Sequence, residues 1–468
     1  MKKKILLSSF LSLLSILCTM NAQAQDENPY SIDSLSPELR KHSGNLLSKR
    51  QAIFDIESLV YNLSEIHPNL FSVCGQGVFL QMRNQIEASL PDSLSTLQLF
   101  EAIQPLVVKI GDGHTSLHFP YNDVFKKDTP RIPLSFEVGP DNTVTVSFSL
   151  GNKIPESARI LKINDVTTRQ MLEKMLCYES GESLAFRMQR VRNDFPALFF
   201  MLYSADSYRI EYRDPDGGKF RQITLAPCPN HELFALKRQR QKPTVAAEES
   251  YSFRLLPKDK VAIMDFKRFN DPDGMKAFAD SMFTTLREKK IHSLIIDITE
   301  NGGGNSGVGD ILLRYISPRP FNQYGRYLAR VTPTTQKLMR RKQELGWYYA
   351  EVRDSDMIMP LTEEEGHFKG KVYLLTSNRT FSSASSFAWA FKMFDMGKII
   401  GEETGGMNVC YGDVLAYKLP VSGLNASISY KRFWQYGADE DDIHGTLPDY
   451  EVPKGEALAK AIAIAEKH

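Results

Sequence analysis

Ser382 stands where a buried strand gives way to a helix. Residues Lys371–Thr376 form an apolar run typical of a buried strand. The helical pattern after the serine has one apolar face, formed by Phe387, Phe391 and Phe394. The first N–H groups of a helix lack acceptors and could stabilise an oxyanion, which suits Ser382 as the nucleophile of an acyl transfer. The alternative is that Ser382 only caps the helix, and the GxSxG elbow of α/β-hydrolases is absent.

A second candidate is the turn that contains Gly302, Gly303 and Gly304. It follows the apolar strand pattern Leu294–Ile298 directly. Adjacent glycines permit backbone conformations and close approaches that side chains forbid. Neither phosphate-loop signature is present, because no GK[ST] follows and the GxGxxG spacing is missing. The remaining interpretations are an N–H group aimed at an oxyanion and a plain flexible turn.

The segment GDGHT at 111–115 supplies a candidate general base, His114. Imidazole has an unperturbed pKa of about 6.5, which suits proton transfer near neutral pH. His118 lies four residues further on, which raises metal binding as an alternative. The zinc-protease helix signature, however, needs Glu directly after the first His, and Thr115 stands there. We therefore expect no metal and no cofactor, while a purely structural histidine remains an alternative.

The composition describes an ordinary globular chain. It has 468 residues, of which 42% are apolar and 24% are charged. These values exclude a collagen-like, a disordered and a membrane-bundle protein. Four cysteines outside the leader, at 74, 177, 228 and 410, show no CxxC spacing, so no metal cluster is expected and their pairing is open.

Residues 1–24 have the three parts of a secretory signal peptide. A run of lysines at 2–4 precedes the apolar stretch 5–17 and the small-x-small site at 22–24. A lipid anchor at Cys18 is the rival, but Leu17 occupies the position where a lipobox needs a small residue. The mature chain is expected to be exported, to the periplasm or beyond.

Cleavage of the leader removes three lysines and no acid, so the formal net charge changes from +1 to −2. Attraction to nucleic acid or to an anionic membrane is therefore not expected. No other stretch of roughly 18 apolar residues occurs, so we expect no membrane insertion after cleavage.

The remaining patterns divide the chain into regions. A polar lead-in covers 25–48, and helical periodicity such as that of Leu99, Ile103 and Val107 predicts a helical domain over 49–125. Strand-like alternation predicts a β-rich domain over 126–242, and small polar residues at 241–250 predict a linker. From 250 to 468 strand and helix patterns alternate, which predicts an α/β core with strands buried on both faces.

The order of these motifs resembles the C-terminal processing (tail-specific) peptidases, serine peptidases related to the tricorn core and to retinoid-binding-protein-like domains. It rests on GDGHT, on NGGGN at 301–305 and on TFSSAS at 380–385, the latter two each after a strand. Two further turns agree, GEETGG at 401–406 and GTLPD at 445–449. The resemblance implies a ClpP/crotonase-like α/β catalytic core, preceded by a small helical domain and by a PDZ-like β-rich domain around Ile154–Asp165.

The resemblance also assigns roles. Ser382 matches the nucleophile, Gly303 one oxyanion-hole amide, and the backbone N–H of Ser383 the other. The bacterial processing proteases use a lysine base, but Met407 occupies the matching position and a thioether cannot accept that proton. Tricorn-like members use a histidine from the earlier part of the chain, and His114 matches it.

Two departures from the tricorn-like pattern concern the acid and the specificity. Gly113 stands where those enzymes have a serine before the histidine. The acid three residues ahead of Gly445 is Asp442, which is the first candidate for orienting His114, with Asp112 second and a solvated acidic loop as the alternative. Ser383 replaces the acid that gives some members a preference for basic residues, so that preference is not expected.

The sequence thus predicts an exported serine peptidase with a His base, acting on peptides or unfolded proteins. The first alternative is a non-catalytic peptide-binding protein that kept the fold, since the lysine is missing. A metal-dependent hydrolase is a more distant third.

Overall fold

A computed structural model describes residues 28–30, 34, 36–40, 46–240, 249–256 and 260–466. The export signal expected at 1–24 and most of the linker expected at 241–250 lie outside these residues. Within the described ranges, no helix combines the length and apolarity needed to cross a bilayer. The four cysteines at 74, 177, 228 and 410 are free thiols.

The N-terminal region is mainly helical, as its periodicity predicts. Ser48 and Ser95 each cap a helix through a capping box. The elements are α1 (Pro37–Arg40), β1 (Leu46–Ser48), α2 (Lys49–Ile66), α3 (Gln76–Ser89), β2 (Ser93–Ser95), α4 (Thr96–Val108), β3 (Ser116–Leu117) and α5 (Tyr121–Val124). Their apolar core continues into residues of the C-terminal sheet, among them Leu419 and Ile428. The helical region therefore shares its core with the rest of the chain.

A β-rich region follows, as the alternating pattern predicts. Its strands are β4 (Pro130–Arg131), β5 (Leu134–Val138), β6 (Val144–Ser149), β7 (Arg159–Ile163), β8 (Val166–Thr167), β9 (Tyr208–Arg213), β10 (Phe220–Leu225) and β11 (Cys228–Pro229). The antiparallel sheet has the order β10-β9-β7-β6-β5, with β8 beside β7. Its helices are α6 (Thr168–Met175), α7 (Leu184–Tyr203) and α8 (Asn230–Arg240). Apolar residues of α6 and α7 pack on this sheet, which makes it a separate core.

The C-terminal region is built on a six-stranded sheet with the order β12-β13-β14-β17-β18-β21. Its strands are β12 (Tyr251–Leu256), β13 (Val261–Phe266), β14 (Ser293–Asp297), β17 (Lys371–Thr376), β18 (Lys398–Gly401) and β21 (Tyr450–Glu451). The pairs from β13 to β21 are parallel, and only β12 is antiparallel. The expectation of an α/β core with β14 and β17 as strands is confirmed.

Helices cover both faces of this sheet. One face packs against α9 (Pro272–Glu288), α10 (Ser306–Ile316) and α12 (Ser383–Met393), and the other against α13 (Lys454–Ala465). Phe387 and Phe391 of α12 are fully buried in the first core. The continuous apolar runs in the strands follow from this double burial.

A second antiparallel sheet connects the GDGHT loop of the N-terminal region to the C-terminal region. Its order is β16-β15-β20-β19, formed by β15 (Tyr324–Val331), β16 (Gly346–Glu351), β19 (Val409–Lys418) and β20 (Asn425–Gln435), with α11 (Pro333–Met339) after β15. The short strand β3 pairs with β20, Leu117 opposite Ala426 and Ser116 opposite Ser427. The GDGHT loop, which directly precedes β3, is therefore fixed against the C-terminal region.

Asp55 of α2 makes a second link between the two ends of the chain. Its side chain is fully buried and accepts hydrogen bonds from the backbone N–H groups of Val421 (2.9 Å) and Ser422 (2.7 Å), in the turn between β19 and β20. A buried carboxylate is tolerated where such donors surround it.

We expect Asp55→Ala to destabilise the protein, because two buried N–H groups lose their acceptor. The expected loss is about 2–5 kcal/mol in the free energy of unfolding, measured by urea denaturation. Asp92→Asn, at an exposed position, is the control and should change stability by less than about 0.5 kcal/mol. Equal stability of wild type and Asp55→Ala would show that the two regions do not depend on this link.

Candidate active site

Ser382 lies at the start of α12 in a conformation that non-glycine residues rarely adopt. Its φ is 55° and its ψ is −130°. Such a backbone costs on the order of 1–3 kcal/mol and persists only where the surroundings impose it. The serine side chain makes no capping hydrogen bond. The helix-cap alternative is therefore not what the structure shows, and the half-buried hydroxyl is not committed to the helix.

The turn after the nucleophile helix holds this conformation in place. The carbonyl of Thr380 accepts hydrogen bonds from the N–H groups of Gly405 (2.8 Å) and Gly406 (3.2 Å) and from the hydroxyl of Ser385 (2.8 Å). A Cβ on Gly406 would lie 3.1 Å from the backbone nitrogen of Ser382. The GEETGG segment thus closes directly on the serine turn.

Asn301 joins the glycine loop to the same turn. Its backbone carbonyl accepts from the N–H of Phe381 at 3.1 Å, and its side chain donates to the carbonyl of Phe266 at 2.8 Å. Gly303, at φ 95°, packs so closely that a Cβ there would lie 2.8 Å from the Cβ of Ser382 and from the nitrogen of Ser383. Only glycine leaves this approach open.

The two amides assigned to an oxyanion hole differ in their availability. The N–H of Ser383 belongs to the first turn of α12 and has no acceptor within the helix. The N–H of Gly303 instead donates to the side-chain oxygen of Asn301 at 2.9 Å. In this structure, therefore, the Ser383 amide can receive a carbonyl oxygen directly, whereas the Gly303 amide would first have to leave Asn301.

His114 lies against the residue that precedes Ser382. Its ring stacks on that of Phe381, with centroids 4.5 Å apart, and Phe381 stacks in turn on Phe186 of α7 at 4.2 Å. The side chain of His114 is 15% exposed, but both ring nitrogens are covered and lack a hydrogen-bond partner of good geometry. Burial lowers the pKa of His114 below its usual 6.5, although the charge of Asp112 opposes the shift. The ring is thus neutral near pH 7 and able to accept a proton.

Asp112 holds the histidine loop in shape. One carboxylate oxygen accepts from the backbone N–H of His114 (2.8 Å), and the other from the hydroxyl of Ser429 (2.7 Å) with the ring of His67 at 3.4 Å. Burial alone would raise its pKa, but the hydrogen bond and charge of His67, with the charge of His114, hold the pKa well below its usual range. Its carboxylate lies 3.8 Å from Nδ1 of His114, beyond hydrogen-bond reach.

Glu182 is a neighbour of His114 that the sequence analysis missed. It precedes α7, and a Cβ on Gly113 would lie 2.8 Å from its Oε2. Both carboxyl oxygens are buried and have no hydrogen-bond partner of good geometry. Burial, with the charge of Asp112 adding to it, raises the pKa of Glu182 to about 8. The segment ESGES at 179–183 carries no motif that could have identified it.

Arg190 of α7 fixes the β-rich region against the histidine loop. Its guanidinium donates to the carbonyl of Gly113 at 2.9 Å and to the carboxylate of Glu179 at 3.1 Å. The docking of α7 therefore determines where Phe186 packs on Phe381 and where Glu182 lies beside the histidine loop.

The expectation that Asp442 orients His114 is not met. Its oxygens accept from the backbone N–H of Asp439 (2.9 Å) and lie 3.5 Å from the ring of His444. The acidic run closes on itself as a turn, so its spacing to the GTLPD segment does not bring the Asp442 carboxylate to the histidine. Met407, where a lysine base would stand, forms an isolated bridge with Gly445.

The metal alternative paired His114 with His118. His118 donates to or accepts from the hydroxyl of Ser427 at 2.8 Å and does not pair with His114. Among the described residues, Asp112, His114 and Glu182 bring ligand-type atoms within 4.8 Å of one another. This spacing does not test the expectation that no metal is bound.

Comparison with known proteins identifies a similar family and similar folds. Residues 260–452 match the sequence profile of peptidase family S41. The structure is similar to that of mature CPAF, with a TM-score of 0.64 and 12% identity over 90% of this chain and 96% of that one. CPAF in complex with lactacystin gives a TM-score of 0.64 at 13% identity, over 90% and 97% of the two chains.

The photosystem II D1 C-terminal processing protease is more distant in structure, with a TM-score of 0.42 and 15% identity over 89% of this chain and 97% of that one. At such identities the likeness to solved structures concerns the fold alone, and the likeness to a family rests on the profile match. Over residues 260–452 the chain is similar to the serine-type peptidases of family S41.

Proposed function

We propose that this chain is an exported serine peptidase that cleaves peptides or unfolded proteins with Ser382 as nucleophile and His114 as base. The observation that carries the proposal is the stacking of the His114 ring on Phe381, the residue directly before Ser382. The free hydroxyl of Ser382 supports it, because the serine makes no capping bond. Export rests on the signal-like residues 1–24 alone.

In the proposed reaction, the Ser382 hydroxyl attacks the scissile carbonyl while its proton passes to His114. The N–H of Ser383 stabilises the oxyanion of the tetrahedral intermediate. The ionised Asp112, 3.8 Å from the ring, stabilises the imidazolium that forms. His114 then returns the proton to the leaving amine, and water hydrolyses the acyl-enzyme by the same route in reverse.

The β-rich region is the proposed site of substrate recognition. Its sheet ends in the edge strands β5 and β10, and an edge strand can bind an extended peptide by strand addition. The same region carries α7, whose Phe186 completes the ring stack with His114. Substrate recognition and the catalytic base are thus joined through one helix in this proposal.

We expect Ser382→Ala and His114→Ala each to lower peptide hydrolysis by roughly a thousandfold to a millionfold. The double variant should fall little further, because nucleophile and base act as one unit. Labelling by a fluorophosphonate should be lost in Ser382→Ala and retained in Ser383→Ala, which keeps its backbone N–H. Absence of labelling in the wild type would favour the non-catalytic peptide-binding alternative, and full activity of folded His114→Ala would remove the histidine base.

We expect the wild-type rate to rise with pH through a midpoint below 6.5, because His114 must be neutral to accept the proton and burial lowers its pKa. The measurement is kcat/KM for a short peptide between pH 4 and pH 7. A midpoint above 6.5 would contradict the buried, unpartnered state of the ring.

We expect Gly303→Ala to lower hydrolysis by about a hundredfold or more, because the added Cβ would meet Phe381, Ser382 and Ser383 at 2.8 Å. Gly302→Ala is the matched control, since a Cβ there meets nothing within 4 Å. Both variants should be compared by hydrolysis rate and by thermal unfolding. Equal activity of the two would mean that the close approach of the loops is not required.

A further inference from the structure

We propose that Glu182 is the acid that positions the His114 ring for proton transfer, and that it is supplied by the loop before α7. The inference rests on the proposed function, since it assigns a partner to the base. It replaces Asp442 in that role and gives the β-rich region a residue within reach of the His114 ring.

The hydrogen bonds already made by the three candidate acids distinguish them. Both oxygens of Asp112 are engaged, one by the backbone of His114 and the other by Ser429. Asp442 is engaged by the backbone of Asp439 and faces His444. Both oxygens of Glu182 are buried and make no hydrogen bond of good geometry, and only its own backbone and that of Gly113 lie close by.

His114 has the complementary deficit. Both of its ring nitrogens are buried and lack a hydrogen bond of good geometry, with only the backbone of Tyr411 close by. Ligand-type atoms of Glu182, His114 and Asp112 lie within 4.8 Å of one another. A rotation of the Glu182 side chain would bring a carboxyl oxygen to a ring nitrogen. Hydrogen bonds of catalytic groups are often long without substrate and shorten in its presence.

A hydrogen bond between Glu182 and the His114 ring would fix which ring nitrogen carries the proton. A base that accepts a proton on one ring nitrogen must carry its own proton on the other, and that N–H needs an acceptor. An ionised Glu182 accepts this hydrogen bond and fixes the tautomer, and it stabilises the imidazolium when the Ser382 proton arrives. No proton leaves the pair in this step, because Glu182 only accepts the hydrogen bond.

The environment of Glu182 sets the pH at which it can do this. The groups that face it and the ring are Asp112 and His67 from the N-terminal region, Arg190 from α7, and Cys410 and Asp413 from β19. Burial and the Asp112 charge raise the pKa of Glu182 to about 8, so the carboxyl is protonated at neutral pH and ionises as the pH rises. The rate should therefore show a second rise with a midpoint near pH 8.

The test compares wild type with Glu182→Gln by fluorophosphonate labelling and hydrolysis from pH 6 to pH 10. The wild type should gain rate through pH 8, whereas Glu182→Gln should lack this rise and be about a hundredfold slower at pH 9. Asp310→Asn is the matched control. Burial also raises the pKa of the Asp310 carboxyl, but this group lies in α10 and accepts a hydrogen bond from Gln323. This control should keep the rise.

The pH dependence of stability separates misfolding of Glu182→Gln from a loss of positioning of His114. Since Glu182 holds a proton in the folded state that it loses at about pH 4.5 when unfolded, wild-type stability should fall as the pH rises from 4.5 to 8. Glu182→Gln removes that term, so it should be at least as stable as wild type at pH 9. A slower and less stable variant would therefore point to structural damage and overturn the proposal.

The ring itself gives a readout that does not need catalysis. In Ser382→Ala, the NMR signals of His114 should shift with a midpoint near pH 8, and the shift should disappear when Glu182→Gln is added. Wild-type kinetics in Glu182→Gln, or loss of the rise in Asp442→Asn instead, would overturn the proposal. Failure of the wild type to label at all would refute the peptidase function, and the NMR titration would still decide whether Glu182 contacts His114.

Discussion

The active-site geometry depends on the packed contact between two loops at the carboxyl edge of the parallel sheet. Asn301 makes this contact through its backbone and its side chain, binding Phe381, Phe266 and Gly303 at once. Strands β14 and β17 are parallel neighbours, so the loops that follow them must meet at one edge. The strained backbone of Ser382 and the approach of Gly303 are both consequences of that meeting.

Near this contact, the ionisable side chains differ in how many hydrogen-bond partners they have. Asp112 is ionised because His67, Ser429 and the backbone of His114 surround its carboxylate. Glu182 and His114 lie in the same buried space without such partners. Each buried polar group without a partner lowers the free energy of unfolding by roughly 1–3 kcal/mol. The proposed active site is therefore a destabilising part of the fold. The two fully packed cores on either side of the six-stranded sheet offset this cost.

The strands of the C-terminal α/β core could be predicted from the sequence, because parallel strands buried on both faces have continuous apolar sequences. The strand at Lys371–Thr376 has the predicted bounds, and Ser382 directly precedes the next helix as expected. The acid next to His114 could not be predicted in this way. Glu182 reaches the ring only through the docking of α7, and no local pattern in the sequence encodes that docking.

The error over Asp442 has a related cause. A fixed spacing to a motif gives the position of a residue along the chain, whereas the direction of its side chain depends on the turn it forms. Here the backbone of Asp439 captures the carboxylate. The engaged amide of Gly303 is a similar case, because the capture by Asn301 depends on the conformation of the loop. Export and the PDZ-like character of the β-rich region stay predictions, since they rest on sequence patterns alone.

The hydrogen bond between Asp112 and Ser429 joins residues 317 positions apart, and the pairing of β3 with β20 spans a similar distance. Closing so long a loop costs chain entropy before any contact compensates it. During synthesis or export, the histidine loop emerges early, whereas its partner strand β20 emerges only after most of the chain. Ser382 and His114 therefore cannot come together in a partly synthesised chain. The proposed hydrolase would be inactive during synthesis and would gain activity only in the last step of folding.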